Sequence, residues 1–105
     1  MQLRGLLQMS KYSIKFNPRL ANQLEAHASF IANVSKPAAR KFLSEFRELT
    51  RRLADNPYLF PLYDDPNLPP EMYRKAVFGH WYRVVYYIED NVVYVDAVVD
   101  GRMRS

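Results

Sequence analysis

Hydrophobic residues in the first half of the chain have the spacing of one strand followed by two helices. Tyr12, Ile14 and Phe16 alternate with polar residues, which predicts a strand over 11–16 with one buried face. Apolar residues then recur three and four positions apart over about 18–34, and again in the segment that follows. This spacing predicts two helices, and the short connection between them predicts a helical hairpin.

Capping signals and an apolar stripe define the two helices more closely. Asn17 followed by Pro18 predicts the start of the first helix, because asparagine accepts backbone hydrogen bonds there and proline fits the first turn. Ser35 predicts the start of the second helix, which runs to about Asp55. The apolar stripe of that helix comprises Ala39, Phe42, Leu43, Phe46, Leu49 and Leu53. Its central part is expected to be buried against a sheet.

The second half of the chain contains a proline-rich loop followed by three strands. Asn56-Pro57 ends the second helix, because a residue before proline is displaced from the helical region. Valine and tyrosine are then dense in three segments, which predict strands over 72–78, 81–88 and 92–99. The connections Gly79-His80 and Glu89-Asp90-Asn91 are short, so the three strands should run antiparallel.

These elements predict an α+β fold in a single domain. The N-terminal strand, the helical hairpin and a three-stranded antiparallel meander should form one small sheet packed on the helices. A chain of 105 residues with 49% apolar or aromatic residues can bury one core, but not two. We expect the domain to cover residues 11–105 and residues 1–10 to be an N-terminal extension.

Composition excludes several classes of chemistry. The chain has no cysteine and only two histidines, which excludes thiol nucleophiles and zinc ribbons, and we expect neither a metal nor a cofactor. Its longest apolar run, Val84 to Ile88, is far shorter than the roughly 20 residues that cross a bilayer. Residues 1–10 are too short and polar for a signal peptide. A cytoplasmic location is therefore expected.

The charge balance is compatible with a polyanionic partner, although the excess of positive charge is modest. Fifteen Lys and Arg against eleven Asp and Glu give a net charge of +4, and most of the cations are arginines. Arginine has a planar fork that suits phosphate. The second helix has both signs of charge, which is typical of a solvated helix face.

Three arginines of the predicted strands are the candidate catalytic residues. Strand periodicity predicts that Arg74, Arg83 and Arg102 lie on one face of the sheet, with Asp96 and Asp100 between them. The apolar row of the last strand would then be Val93, Val95, Ala97 and Val99. Such a face could bind a phosphate backbone, although a solvated face with ion pairs would have the same pattern.

Other basic and aromatic residues could assist in binding nucleic acid. Lys75, His80 and Arg104 are the candidate binding residues, and His80 could also act as a proton shuttle unless it is only a turn residue. Seven of the eight tyrosines follow residue 57, and one or two of them could stack on bases. Tyr82 and Tyr86 are expected in the core.

The order of these segments resembles a known family. Asn56-Pro57 is followed by MYRKAVF (72–78), WYRVVYYIED (81–90) and VVYVDAVVDGRM (92–103), and this series is similar to the RelE/ParE superfamily of bacterial type II toxins. The resemblance covers about residues 11–103. It implies a small α+β domain and a toxin that is neutralised by a cognate antitoxin.

The resemblance implies two possible activities. RelE-like members cut messenger RNA on the ribosome with basic side chains of the sheet, whereas ParE-like members poison DNA gyrase. Arg74, Arg83 and Arg102 match basic positions of RelE-like enzymes. Ala76 stands where those enzymes often have a lysine, and the chain ends at Ser105, before their C-terminal tyrosine.

Three functional hypotheses follow from the resemblance. The favoured one is an endoribonuclease that binds the ribosome and messenger RNA, because three arginine positions are kept. The second is a gyrase inhibitor without nuclease activity. The third is an interaction domain of the same fold that has lost its toxicity.

Overall fold

The structure, a computed structural model, describes residues 11–102. The predicted N-terminal extension, residues 1–10, and Arg104 lie outside the described residues. The elements are β1 (Ser13–Phe16), α1 (Leu20–Ala32), α2 (Lys36–Asp55), a 3-10 turn (Pro57–Leu59), β2 (Tyr73–Phe78), β3 (Tyr82–Glu89) and β4 (Val92–Asp100). The predicted α+β fold is confirmed. Neither α1 nor α2 is long and apolar enough to span a bilayer.

All four strands belong to one sheet in the order β1-β4-β3-β2. The last three strands are antiparallel, as predicted, and β1 lies parallel to β4. A parallel pair requires a long crossover, and here the connection from β1 to β4 contains both helices, the proline-rich loop, β2 and β3. The hairpin of α1 and α2 thereby lies against the sheet face that contains the core.

The core forms between α2 and the sheet. The apolar stripe of α2 is buried as predicted: Phe42 is 3% exposed, Phe46 is 7% exposed and Leu49 is 3% exposed. Ser35 caps the helix as predicted: the Ser35 hydroxyl accepts a hydrogen bond from the Ala38 backbone N–H at 3.1 Å. Local capping and apolar spacing therefore identify the start and the buried face of α2 in the sequence.

The start of α1 differs from the prediction. The helix begins at Leu20 rather than at Pro18, and Asn17 forms a turn ahead of it. The Asn17 side-chain oxygen accepts from the Arg19 backbone N–H at 3.0 Å, and the Asn17 side-chain amide donates to Asp96 at 2.8 Å. Asn17 therefore joins the start of α1 to β4 instead of capping the helix.

A β-bulge at Asp96 reverses the two faces of β4. Tyr86 of β3 lies opposite Val95 and Val85 lies opposite Ala97, so Asp96 is an extra residue. Beyond the bulge the inward position passes to Val98, which is 2% exposed, whereas Val99 is exposed. The predicted apolar row of β4 is therefore wrong after Val95.

A buried tyrosine joins the sheet to the end of α2. Tyr86 is fully buried, and its hydroxyl donates a hydrogen bond to the Pro57 carbonyl oxygen at 2.7 Å. Burial raises the pKa of Tyr86 above its ordinary value of about 10. The neutral phenol is therefore the form that stabilises the fold.

Removing this hydroxyl should destabilise the protein at neutral pH. Tyr86→Phe leaves the Pro57 carbonyl without its donor, and we expect a loss of about 1–2 kcal/mol in the free energy of unfolding. In the wild type, the contribution of Tyr86 is complete below pH of about 10 and is lost as pH rises beyond that value. Urea unfolding at neutral and alkaline pH measures both effects. If raising the pH lowered the free energy of unfolding of Tyr86→Phe as much as that of the wild type, the role of Tyr86 would be contradicted.

Candidate functional site

Arg74 lies at the edge of the sheet on the face that packs against the helices. Its guanidinium donates a hydrogen bond to the Phe60 carbonyl oxygen at 2.6 Å and lies 5.1 Å from the centre of the Tyr58 ring. The segment 61–63 pairs with β2 beside it through a bridge between Leu62 and Arg74. Arg74 thus holds the proline-rich loop against the sheet.

Arg83 lies on the opposite face of the sheet. It pairs with Val77 of β2 and with Val99 of β4, and it is half-buried. A Cβ atom added at Gly101 would lie only 2.9 Å from the Arg83 Nε atom, so the guanidinium packs closely on that glycine. Arg83 also lines an open groove together with Tyr63 of the proline-rich loop.

Arg102 is bound within its own turn. Its guanidinium donates two hydrogen bonds to the Asp100 carboxylate, at 3.1 and 2.8 Å. The guanidinium also stacks on Trp81, with its central carbon 4.1 Å from the centre of the ring. These hydrogen bonds lower the pKa of Asp100 below its usual range. The charge of Arg102 is consequently compensated by an adjacent carboxylate.

The three arginines therefore do not gather on one face, contrary to the prediction. The connection after β2 comprises Gly79, His80 and Trp81, one residue more than predicted, and Phe78 pairs with Tyr82. A shift of one residue turns every side chain of a strand to the other face. It places Arg83 away from Arg74.

Of the candidate binding residues, Lys75 lies on the outer face of the sheet with Arg83, whereas His80 does not join them. The Lys75 ammonium lies 5.2 Å from the centre of the Tyr63 ring. His80 is exposed in the turn between β2 and β3, with a φ of 76°, and its ring lies 5.9 Å from Trp81. Arg104 is outside the described residues. His80 is thus a turn residue that follows the end of β2, whereas Arg74 lies near the start of that strand.

Three tyrosines form a row across the outer face of the sheet. The rings of Tyr87 and Tyr94 stack at 4.9 Å between centres, and Tyr73 meets Tyr87 edge-on at 5.2 Å. Burial, followed by the nearby charge of Asp96, raises the pKa of Tyr73. Sequence reasoning missed this row because it depends on the register between strands.

Side chains of α1 complete the hydrogen bonding of β4 where β1 has ended. The Gln23 side-chain oxygen accepts from the Val98 backbone N–H at 2.9 Å, and the His27 ring lies 3.2 Å from the Val98 carbonyl oxygen. Arg19 forms an ion pair with Asp96 at 3.0 Å. This part of β4 therefore pairs with β3 on one edge, and on its other edge α1 takes the place of a strand.

No group of three histidine or acidic side chains in residues 11–102 is arranged to hold a metal ion. The arrangement offers separate arginine, tyrosine and tryptophan surfaces.

Comparison with known proteins identifies the family. Residues 14–104 match the family model described as the ParE toxin of the type II toxin-antitoxin system parDE. The chain belongs to the ParE toxin family. No match is found among curated proteins.

A ParE-type fold is also found among solved structures. A chain from the chromosomal ParDE TA system of P. aeruginosa superposes with a TM-score of 0.71. The alignment covers 86% of this chain and 96% of that chain, at 14% sequence identity. At this identity the likeness supports the fold, and the family match identifies this ParE-family chain as the toxin of a type II system.

Proposed function

We propose that this ParE-family toxin arrests growth by inhibiting DNA gyrase and does not cleave messenger RNA. The observation that supports this choice is the separation of Arg74, Arg83 and Arg102. Arg74 is on the helix side of the sheet, Arg83 is on the outer side, and Arg102 is paired with Asp100. Their separation makes one shared phosphate site unfavourable.

Cleavage by a ribose hydroxyl requires several groups at one phosphate. Cations must stabilise the charge that develops on the phosphorane, and another group must accept the proton of the hydroxyl. Arginine is a poor proton acceptor because its pKa is above about 12. A nuclease would therefore need a second residue beside the cations.

Lys75 lies on the same face of the sheet as Arg83, with its ammonium over the Tyr63 ring, but this pair lacks the other two arginines. His80 is in the turn between β2 and β3. The Tyr86 hydroxyl is buried and donates to the Pro57 carbonyl oxygen, with its pKa raised by burial. These placements favour the gyrase hypothesis over the nuclease hypothesis.

We further propose that an antitoxin covers the apolar surface next to Arg74. Tyr58 is 55% exposed and Leu59 is 59% exposed, and Leu62 and Met72 are also exposed. An amphipathic antitoxin segment with acidic residues could pack on these side chains and approach Arg74. The ParDE system whose chain shares this fold is, by its description, a toxin-antitoxin system.

Induction of the toxin in growing cells tests the target. We expect growth arrest with full-length messages in primer extension and with DNA breaks that are covalently linked to gyrase. An Arg83→Ala variant should lose far less toxicity than the two to three orders of magnitude expected for loss of a transition-state donor. Lys15→Ala removes an exposed cation from β1 and serves as the matched control.

Three outcomes would contradict the proposal. Messages cut within codons, together with a loss of toxicity in Arg83→Ala but not in Lys15→Ala, would support the nuclease hypothesis. Arrest with intact messages and no gyrase-linked breaks would indicate a different target. Normal growth after induction of soluble toxin would support the interaction-domain hypothesis.

A further inference from the structure

Four basic side chains form a line on the solvent face of α2. Lys36, Arg40, Arg47 and Arg51 are all exposed. At about 100° of rotation per residue, they fall within an arc of about 60° and extend along about 22 Å of the helix. These four residues are called the α2 basic stripe below.

Most of the positive charge in the α2 basic stripe is not neutralised by the protein. Arg51 pairs with Glu48, whereas Lys36, Arg40 and Arg47 have no ion-pair partner within residues 11–102. The segments outside the described range, 1–10 and 103–105, contain no acidic side chain in their sequence. The stripe therefore presents its charge to solvent or to a binding partner.

The placement of these cations opposes the stability of the helix itself. Lys36 and Arg40 lie near the N-terminus of α2, the positive end of the helix dipole, and the first turn has no acidic residue. Lys36 with Arg40, and Arg47 with Arg51, are like charges four residues apart, a spacing that is mildly destabilising. A charge pattern that disfavours its own helix is expected where a partner compensates for it.

The surroundings of the stripe favour phosphate over protein as the partner. Within α2 every large hydrophobic side chain is at least partly buried, so the helix itself supplies none of the exposed apolar anchors that protein interfaces require. It also lacks aromatic rings, on which the bases of single-stranded nucleic acid would stack. Three of its four cations are arginines, which bind phosphate oxygens with two donors each.

We propose that the α2 basic stripe binds the phosphate backbone of duplex DNA. Its length corresponds to about six base pairs along the DNA axis. The inference does not rest on gyrase being the target, because DNA held by gyrase and free chromosomal DNA present the same backbone. Contacts to phosphates alone predict binding without sequence preference.

Fluorescence anisotropy with the purified full-length chain tests this binding. The probe is a labelled duplex of about 20 base pairs, titrated at salt concentrations from about 50 to 200 mM. With three unpaired cations in contact, the logarithm of affinity should fall against the logarithm of salt with a slope of about −3. The double variant Arg40→Gln, Arg47→Gln should have a slope that is shallower by about two.

A matched variant separates the stripe from overall charge. Lys11→Gln, Lys15→Gln removes the same charge from exposed positions near β1 and should leave the slope nearly unchanged. The stripe variant should keep the wild-type melting temperature or exceed it, because glutamine favours helix and relieves the repulsion. An unchanged or higher melting temperature would show that the loss of binding is not caused by a loss of folding.

Three results would overturn the proposal. The first is no binding of the duplex by wild type at about 50 mM salt. The second is an equal loss of slope in the Lys11 and Lys15 variant. The third is binding of poly-glutamate as tight as that of the duplex and equally lost in the stripe variant, which would indicate an acidic protein partner.

A supercoiling assay with the same variants distinguishes the two sources of DNA. Loss of gyrase inhibition along with duplex binding would assign the stripe to DNA held by gyrase. Unchanged inhibition with lost duplex binding would assign it to DNA elsewhere. Should the wild-type chain not inhibit gyrase, the proposed target would be wrong while the anisotropy result would still stand.

Discussion

Replacing Phe42 with alanine is expected to lower the free energy of unfolding by about 3–5 kcal/mol. Phe42 is 3% exposed, and its ring lies 4.7 Å from Tyr82 and 5.3 Å from Phe78, measured between ring centres. It also meets the His27 ring of α1 at 6.2 Å. Truncation would therefore remove the ring at which α1, α2 and the sheet meet.

Chemical denaturation measures this loss, and Phe30→Ala is its control. Phe30 is 65% exposed on α1, so its truncation should change stability by no more than about 0.5 kcal/mol. A loss below about 1 kcal/mol for Phe42→Ala would mean that α2 does not pack on the sheet in this orientation.

Gly101→Ala is expected to be nearly as damaging, although it adds only one methyl group. The added Cβ would overlap the Trp81 carbonyl oxygen and lie 2.9 Å from the Arg83 Nε atom. The Gly101 backbone N–H donates to that same carbonyl at 2.7 Å. Overpacking together with a lost hydrogen bond should cost about 2–4 kcal/mol.

The control for this variant is a truncation in β4, the strand that ends just before Gly101. Val99→Ala removes a side chain that is 36% exposed, and it should cost less than about 1 kcal/mol. Unfolding in urea compares the two. A Gly101→Ala variant as stable as the wild type would show that the end of β4 can move away from Trp81 without cost, and would refute the close approach.

Local signals in the sequence predicted most of the fold. Ser35 caps α2 because its hydroxyl needs only the backbone three residues ahead, and the apolar stripe of α2 needs only helical spacing. The three C-terminal strands follow from their valine and tyrosine density and from short turns. These features depend on neighbours in the chain, so they can be recognised without a structure.

Features that depend on distant contacts were not predictable. The bulge at Asp96 places the Asp96 carboxylate where Asn17 and Arg19 bind it, 79 and 77 residues away in the sequence. The parallel pairing of β1 with β4 likewise depends on how the helical hairpin crosses the sheet. No local sequence pattern predicts either feature.

The candidate site was the part that sequence predicted least well. Its arginines were identified individually, but the prediction that they share a face required a turn of two residues after Phe78. The turn extends to Trp81, and this single additional residue separates Arg83 from Arg74. The row formed by Tyr73, Tyr87 and Tyr94 was missed for the same reason, since strand register decides which rings meet.

The most direct measurement of the central claim is plasmid supercoiling by purified gyrase in the presence of the purified toxin. We expect a dose-dependent loss of supercoiling with accumulation of cleaved DNA, and recovery when a cognate antitoxin is added. The same toxin preparation should leave messages intact in a translating extract. Unimpaired supercoiling together with cleaved messages would contradict the proposed target.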